Sequence, residues 1–329
     1  MSSHLTRRDI LKTTGCAAAA ALLGGRWMSM AGAEPPTNPG SPLPEPVLRL
    51  AHLTDIHLAP ERRAPEGLAA CLRYLQSQPD RPDLILTGGD LVMDSLEATF
   101  DRTKQQWELF QRVFKEECRL PVEHCLGNHD IWGWFKSKSG ATGSEPQYGK
   151  KWAVELLGLG KPYRSFDRAG WHFIALDSIT RRGEDYIGKL DDEQMAWLRA
   201  DLAHVPATTP VLLFSHIPIF AACVLHDPKE AAEQTDGWRV PAGLMLVDSH
   251  RIRTLFAEHP NVRLCLSGHV HLQDRVDFNG VTYICDGAVS GAWWRGPRYE
   301  CREGYGRIDL FADGAWNHRY VTYDWHAES

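Results

Sequence analysis

The chain has 329 residues, 43% of them hydrophobic, with 36 basic and 42 acidic side chains and a net charge of −6. Residues 1–33 hold Arg7, Arg8, Lys12 and Arg26 against Asp9, so the remainder carries 32 basic and 41 acidic residues, a charge of −9. So acidic a surface excludes an extended nucleic acid as partner, and the roughly 280 residues after the N-terminal segments suffice for one large α/β domain.

The chain opens as a twin-arginine signal peptide. Thr6-Arg7-Arg8-Asp9-Ile10-Leu11-Lys12 supplies the paired arginines, Cys16 to Leu23 a short apolar core, and Ala31-Gly32-Ala33 an A-x-A cleavage site. The expected route is the twin-arginine export machinery, and the expected location is the periplasm or the medium. The apolar stretch is well short of the ~18 residues of a spanning helix, so no membrane anchor is expected after cleavage. Residues 34–46 hold six prolines and read as an extended linker. The domain is expected over 47–329.

Val47 to Thr54 is the first expected strand, ending in Asp55-Ile56-His57. A helix over Leu68 to Gln76 is closed by Pro79. Asp83 to Thr87 is a second strand, followed by Gly88-Gly89-Asp90. Asp94 beyond it is either a carboxylate behind the site or a helix N-cap. Phe100 to Glu117 places Trp107, Phe110 and Phe114 on one face of a long helix. Pro121 to Leu126 is a strand running into Gly127-Asn128-His129-Asp130. Ile131 to Lys151 is a long connection, of a length that is often functional, and Trp152 to Leu157 is a short helix. Tyr163 to Phe166 and Trp171 to Leu176 pair as strands. Asp191 to Leu202 is a helix whose acidic first turn suits its dipole. Val211 to Phe214 is a strand ending in Ser215-His216, and Phe220 to Leu246 a second long connection. After a helix over Asp248 to Glu258, the strand Val262 to Leu266 ends in Gly268-His269-Val270-His271. Two hairpins close the chain, Gln273–Phe278 with Val281–Cys285 around Asn279-Gly280, and Tyr305–Phe311 with Trp316–Tyr323 around Asp313-Gly314. Alternating strands and helices, then hairpins, make a layered α/β domain with mixed sheets.

Five strand ends therefore carry polar clusters, and five together point to one shared site. Asp55, His57, Asp90, Asn128, His216, His269 and His271 supply three oxygen donors and four imidazoles, with no thiolate. Seven groups exceed what one metal needs and suit two, with one carboxylate bridging. Nitrogen and oxygen donors suit Mn, Fe or Zn. Two metal ions ~3.5–4 Å apart clamp both oxygens of an in-line displacement and generate hydroxide near neutral pH. His129 lies beyond the ligand count and is placed to protonate a leaving oxygen, with Asp130 orienting its ring. Trp132, Trp134, Trp293 and Trp294 are candidates to stack a base or wall the pocket, and Arg295 and Arg298 to meet an anion; the candidate substrate contacts are Trp132, Trp294 and His226, the last reaching in from the second long connection. Of the seven cysteines after Cys16, Cys125 and Cys265 read as buried thiols in strands; a disulfide is open, with no pairing legible.

The set Asp55-x-His57, Gly89-Asp90, Gly127-Asn128-His129-Asp130, His216 and Gly268-His269-x-His271 resembles the calcineurin-like metallophosphoesterase family over about residues 47 to 272. The resemblance implies a four-layer α-β-β-α sandwich of two mixed sheets, with the site at the strand ends. It implies one metal on Asp55, His57, Asp90 and His271, a second on Asp90, Asn128, His216 and His269, and Asp90 as the bridge. His129 would be the leaving-group acid or a charge stabiliser, supported by Asp130. Leu91, Val92 and Met93 follow Asp90 where purple acid phosphatases place a tyrosine, and there is no room for the further domain of 5′-nucleotidases. What remains resembles the group containing cyclic-nucleotide phosphodiesterases. The expected activity is hydrolysis of a small phosphodiester by metal-bound hydroxide. A phosphomonoesterase, or a metal-binding scaffold without catalysis, is the alternative.

Overall fold

The computed structural model describes residues 45–226, 232–234 and 237–327. The expected signal peptide and most of the expected linker lie outside the described residues. The elements run β1 (Leu48–Leu53), α1 (Ala64–Ser77), β2 (Leu84–Thr87), α2 (Phe100–Glu117), β3 (Val122–His124), α3 (Lys136–Ser139), α4 (Lys151–Leu156), β4 (Arg164–Arg168), β5 (Trp171–Ala175), β6 (Ile179–Arg182), β7 (Asp185–Gly188) and α5 (Asp192–His204). They continue with β8 (Val211–Phe214), β9 (Ala232–Gln234), β10 (Gly237–Arg239), α6 (Ser249–Ala257), β11 (Val262–Ser267), β12 (Asp274–Phe278), β13 (Val281–Cys285), β14 (Gly304–Leu310) and β15 (Trp316–Thr322).

Two mixed sheets form, one in the order β15-β14-β1-β2-β3 and the other β12-β13-β11-β8-β5-β4. Side-chain alternation along the strands builds the layers. Leu48 and Leu50 of β1, Leu84 and Leu86 of β2, Phe173 of β5, Leu212 and Phe214 of β8, and Leu264 and Leu266 of β11 meet in one core between the sheets. The intervening Ala51, Leu53 and Ile85 turn outward onto Leu68, Leu72 and Leu75 of α1 and Trp107, Phe110 and Val113 of α2. On the other flank Ile174, Val211, Leu213 and Cys265 meet Met195, Leu198 and Leu202 of α5 and Ile252, Leu255 and Phe256 of α6. This is the α-β-β-α sandwich expected from the sequence. No helix among the described residues is long and apolar enough to cross a membrane.

The boundaries shift for local reasons. Pro65 sits in the first turn of α1, where its fixed φ suits a helix start, so the helix begins well before Leu68. Asp191 is the N-cap of α5, accepting from the Gln194 amide at 2.7 Å. β3 stops at His124, its last partner on β2, so Cys125 and Leu126 lie beyond the ladder. The small hairpins β6–β7 and β9–β10 escape the sequence reading. In the first, Arg181, Arg182 and Asp185 are exposed, leaving no apolar alternation to detect. Cys125 and Cys265 are buried, and all seven cysteines from Cys71 to Cys301 are free.

Candidate metal centre and active site

β1, β2 and β3 are mutually parallel, as are β5, β8, β11 and β13. The ends of β1 and β2 in one sheet and of β8 and β11 in the other thus deliver their loops to one edge of the sandwich, the usual place for ligands in parallel sheets. Asp55, His57, Asp90, His269 and His271 all have positive φ, between 46° and 73°. Non-glycine residues held in that region cost energy and cluster at functional sites. Two glycines let the loops close. A Cβ on Gly127 would stand 2.0 Å from Asp90 Oδ1, and one on Gly268 1.8 Å from Thr54 Oγ1.

All seven candidate ligands converge. His271 Nε2 lies 3.2 Å from Asp55 Oδ1 and 3.1 Å from His57 Nε2. Asp90 Oδ2 lies 3.6 Å from His57 Nε2 and 3.1 Å from His216 Nε2. His216 Nε2 is also 3.1 Å from Asn128 Oδ1 and from His269 Nδ1. The ligand atoms fall into groups around Asp55, His57 and His271, around Asp90, His216 and His269, and around His57, Asp90 and His129. Asp90 therefore stands between the two clusters.

The donor set tests whether a cation fits. His271 Nδ1 meets the Gly291 carbonyl at 2.5 Å, and His216 Nδ1 the Gly88 carbonyl at 2.8 Å. A ring nitrogen bound to a carbonyl carries the proton, so each Nε2 of a neutral ring presents a lone pair. Those lone pairs face carboxylate oxygens and the ring nitrogens of His57 and His269. Acceptors facing acceptors in a buried site repel unless a proton or a metal ion lies between them. Asp55 Oδ1, His57 Nδ1 and His269 Nε2 are buried without a hydrogen-bond partner, and such orphans call for an explanation. The residues fit metal ions.

The electrostatics agree. Burial alone would raise the pKa of Asp55, but His271 and His216 bring it down; for Asp90, burial is likewise outweighed by His216 and His129. Burial lowers His57 well below the usual value, and burial with His216 beside it lowers His269 to about 3. Ionised carboxylates and neutral imidazoles are the forms that bind metal. His216 is the exception. Burial opposes its charge, yet Asp90 raises its pKa to about 9, so without a metal a proton takes that lone pair.

His129 lies at the rim, its ring centroid 4.9 Å from that of His57. Its expected partner is a different one. Asp130 does not orient the ring. Its Oδ1 accepts from the amides of Leu91 at 2.8 Å and Val92 at 3.3 Å, and its Oδ2 from the Gly127 amide at 2.8 Å. Asp130 is a buried staple between the loops after β2 and β3. The carboxylate facing His129 is Asp94, with Oδ1 at 3.8 Å from Nδ1. Asp94 does not cap α2, where Thr99 accepts from the Arg102 amide; it accepts from Glu97 at 3.1 Å.

The three candidate substrate contacts do not meet the cluster. Trp294 is 1% exposed, packed in the core with α1, its Nε1 donating to the carbonyls of Ile56 at 2.9 Å and His57 at 3.1 Å. It supports the Asp55–His57 turn from behind. Trp132 is buried, its ring against Phe100 and Trp152, and its Nε1 donates to the Ala98 carbonyl at 3.2 Å. His226 lines a separate cavity of about 480 Å³ with Cys223, Leu272 and Tyr299. The aromatic residues at the site are Trp293, its ring centroid 4.5 Å from His271 and 5.8 Å from His57, and, among the described residues, Tyr186, its ring centroid 6.3 Å from His269. Trp134 packs in the core with α5. Of the residues the sequence reading missed, the Gly88 and Gly291 carbonyls carry no side-chain signal, and the neighbours of Trp293 are reached only through the fold.

A family model for calcineurin-like phosphoesterases matches residues 48–273. Among curated proteins, a probable cyclic nucleotide phosphodiesterase of Synechococcus is 26% identical over 281 residues, 82% of this chain and 90% of that protein. The 3′,5′-cyclic adenosine monophosphate phosphodiesterase CpdA of Escherichia coli strain K12 is 25% identical over 249 residues, 72% and 74% of the two chains. Among solved structures, a dimetal phosphatase from Danio rerio shares the fold with a TM-score of 0.57 at 16% identity, covering 85% of this chain and all of that one. With the family match running from β1 to the loop after β11, over every strand end that carries a candidate ligand, the chain belongs to the calcineurin-like phosphoesterase family and is a metal-dependent hydrolase of phosphoric esters.

Proposed function

We propose that the chain hydrolyses a small phosphodiester, cyclic nucleotides among them, at two metal ions. The observation that carries the two-metal reading is the position of Asp90 Oδ2 between His57 and His216. Asp55, His57, Asp90 and His271 would hold one ion, and Asp90, Asn128, His216 and His269 the other. Sulfur-free nitrogen and oxygen donors favour Mn, Fe or Zn. Bound there, the ions supply charge neutralisation at the phosphoryl oxygens and an acidified water.

The chain's own residues do the rest. The Gly88 and Gly291 carbonyls hold the imidazoles of His216 and His271 in the tautomer that points Nε2 inward. The Asp130 staple fixes the loops that carry Asp90 and Asn128. His129, outside both ligand sets, donates its proton to the leaving oxygen and then takes one from solvent; the Asp94 carboxylate lies 3.8 Å from its Nδ1. The names of the relatives support the diester preference. Residues 1–33 serve as a twin-arginine signal and the enzyme acts outside the cytoplasm, as the Arg7-Arg8 motif indicates. The test is turnover of bis- against mono-(p-nitrophenyl) phosphate by Mn-loaded and chelator-treated protein. The expected result is metal-dependent turnover with the diester preferred; a monoester preference overturns the diester reading, and metal-independent turnover overturns the site.

A further inference from the structure

Beside the metal cluster lies a second cavity, of about 350 Å³, lined by Glu61, Arg62, Met93, Arg102, Trp293 and Arg295. Trp293 is the wall shared with the cluster, through its contacts with His271 and His57. The Met93 amide donates to the Leu58 carbonyl at 2.9 Å, which holds the loops after His57 and Asp90 side by side.

In a chain of net charge −6, this cavity has three arginines against one carboxylate. That carboxylate is already engaged: Arg102 Nη2 lies 2.5 Å from Glu61 Oε2. Arg62 donates to the Trp293 carbonyl at 3.1 Å and shares the field of Glu61 with Arg102, but neither Arg62 nor Arg295 forms a contact ion pair among the described residues. Both are exposed. The backbone is forced to present them. Arg62 and Arg63 have φ of 56° and 54°, and Trp293 and Trp294 of 55° and 65°. Two consecutive pairs of non-glycine residues are held in the left-handed region at a cost in energy. The burial of Trp294 and the Arg62–Trp293 bond hold them there.

The recognition chemistry is charge rather than stacking. The Trp293 indole already has His271 against it and the Arg298 guanidinium 5.2 Å from its centroid. What remains is two guanidinium groups outside any contact ion pair, each a planar donor suited to phosphate. We propose that the Arg62–Arg295 cavity binds a second phosphate of the substrate, beyond the phosphoester cleaved at the metal cluster. The preferred substrate is then a phosphodiester with an additional phosphate group, whereas a simple cyclic nucleotide leaves this cavity unfilled. The inference rests on the phosphodiesterase reading for its substrate class.

The experiment measures calorimetric Kd values of the full-length, metal-loaded protein for adenosine 3′,5′-bisphosphate and adenosine 3′-monophosphate. Charge-assisted hydrogen bonds from two arginines predict that the bisphosphate binds about 10–100-fold tighter. In Arg62→Gln with Arg295→Gln the ratio should fall towards one. General damage to the fold moves both ligands together and leaves the ratio in place. Arg295→Gln alone, which breaks no side-chain hydrogen bond among the described residues, should lower the ratio part of the way. A ratio near one in the native protein, or a ratio retained in the double variant, overturns the proposal. Turnover of bis(p-nitrophenyl) phosphate by the native protein is measured alongside. If it is absent while the ratios behave as stated, the phosphodiesterase reading falls and the phosphate site stands.

Discussion

Replacing Asp130 by alanine separates a loop staple from a partner of His129. The carboxylate accepts two amides at 2.8 Å, from Leu91 and Gly127, and a third at 3.3 Å from Val92. Asp130→Ala leaves the two close N–H groups buried without an acceptor, at about 1–3 kcal/mol each. Part of that is offset, because the carboxylate is itself costly to bury: burial, with Asp90 nearby, pushes its pKa up to about 7. The net loss is about 2–4 kcal/mol, which for a domain of this size lowers Tm by roughly 5–10 °C. Leu91 follows Asp90 directly and Gly127 precedes Asn128, so the metal content of the purified protein should fall as well. The assays are thermal unfolding of metal-free and metal-loaded protein, elemental analysis, and kcat over phosphoesters of rising leaving-group pKa. An unchanged Tm and metal content, with a kcat loss that grows with leaving-group pKa, would refute the staple and return Asp130 to His129.

His129→Ala should keep both metals and lower kcat by about 10²–10⁴-fold, most for an alkoxide leaving group and least for nitrophenolate; an equal loss across a leaving-group series removes the acid role. Asp90→Asn should lower metal content and activity more than Asn128→Ala, because only Asp90 lies between both clusters; full occupancy of both sites by elemental analysis counts against the bridge. Asp286 is fully buried, with Oδ2 2.8 Å from His52 Nδ1 and Oδ1 2.7 Å from His318 Nε2. Burial alone would raise its pKa, but His318 and His52 outweigh it and hold the carboxyl at about 2. A depressed folded-state pKa gives stability that is present above the unfolded value near 4 and lost as pH falls through about 2, here about 2 kcal/mol. The Tm advantage of the native protein over Asp286→Asn should therefore shrink from pH 4 to pH 2, and a constant difference over that range contradicts the assignment. Arg7→Lys with Arg8→Lys should hold the precursor in the cytoplasm; fractionation that finds normal amounts outside it ends the twin-arginine reading.

The sequence by itself determined the layers and which seven candidate ligands would meet. Alternation along β1, β2, β8 and β11 decides which side chains face the opposite sheet, because the two-residue period is a property of the strand alone. The glycine-punctuated ends of those strands carry the donors, and parallel pairing brings such ends together whatever the details of packing. Local chemistry also placed the hairpin around Asn279-Gly280 and the helix over Phe100–Glu117. Tertiary structure decided matters that turn on one residue or on distant chain. Trp293 and Trp294 are neighbours in sequence, yet a left-handed turn aims one at His271 and the other into the core behind His57. Asp130 lies beside His129 in the chain, but the tight turn at Asn128–Asp130 directs its carboxylate back onto Leu91 and Gly127, leaving Asp94, from another loop, to face the imidazole. Arg62 and Arg295 line one cavity only because the loop after β13 returns across the loop after β1. Such meetings depend on side-chain direction and on contacts between segments far apart in the chain, and neither leaves a period or a motif in the sequence.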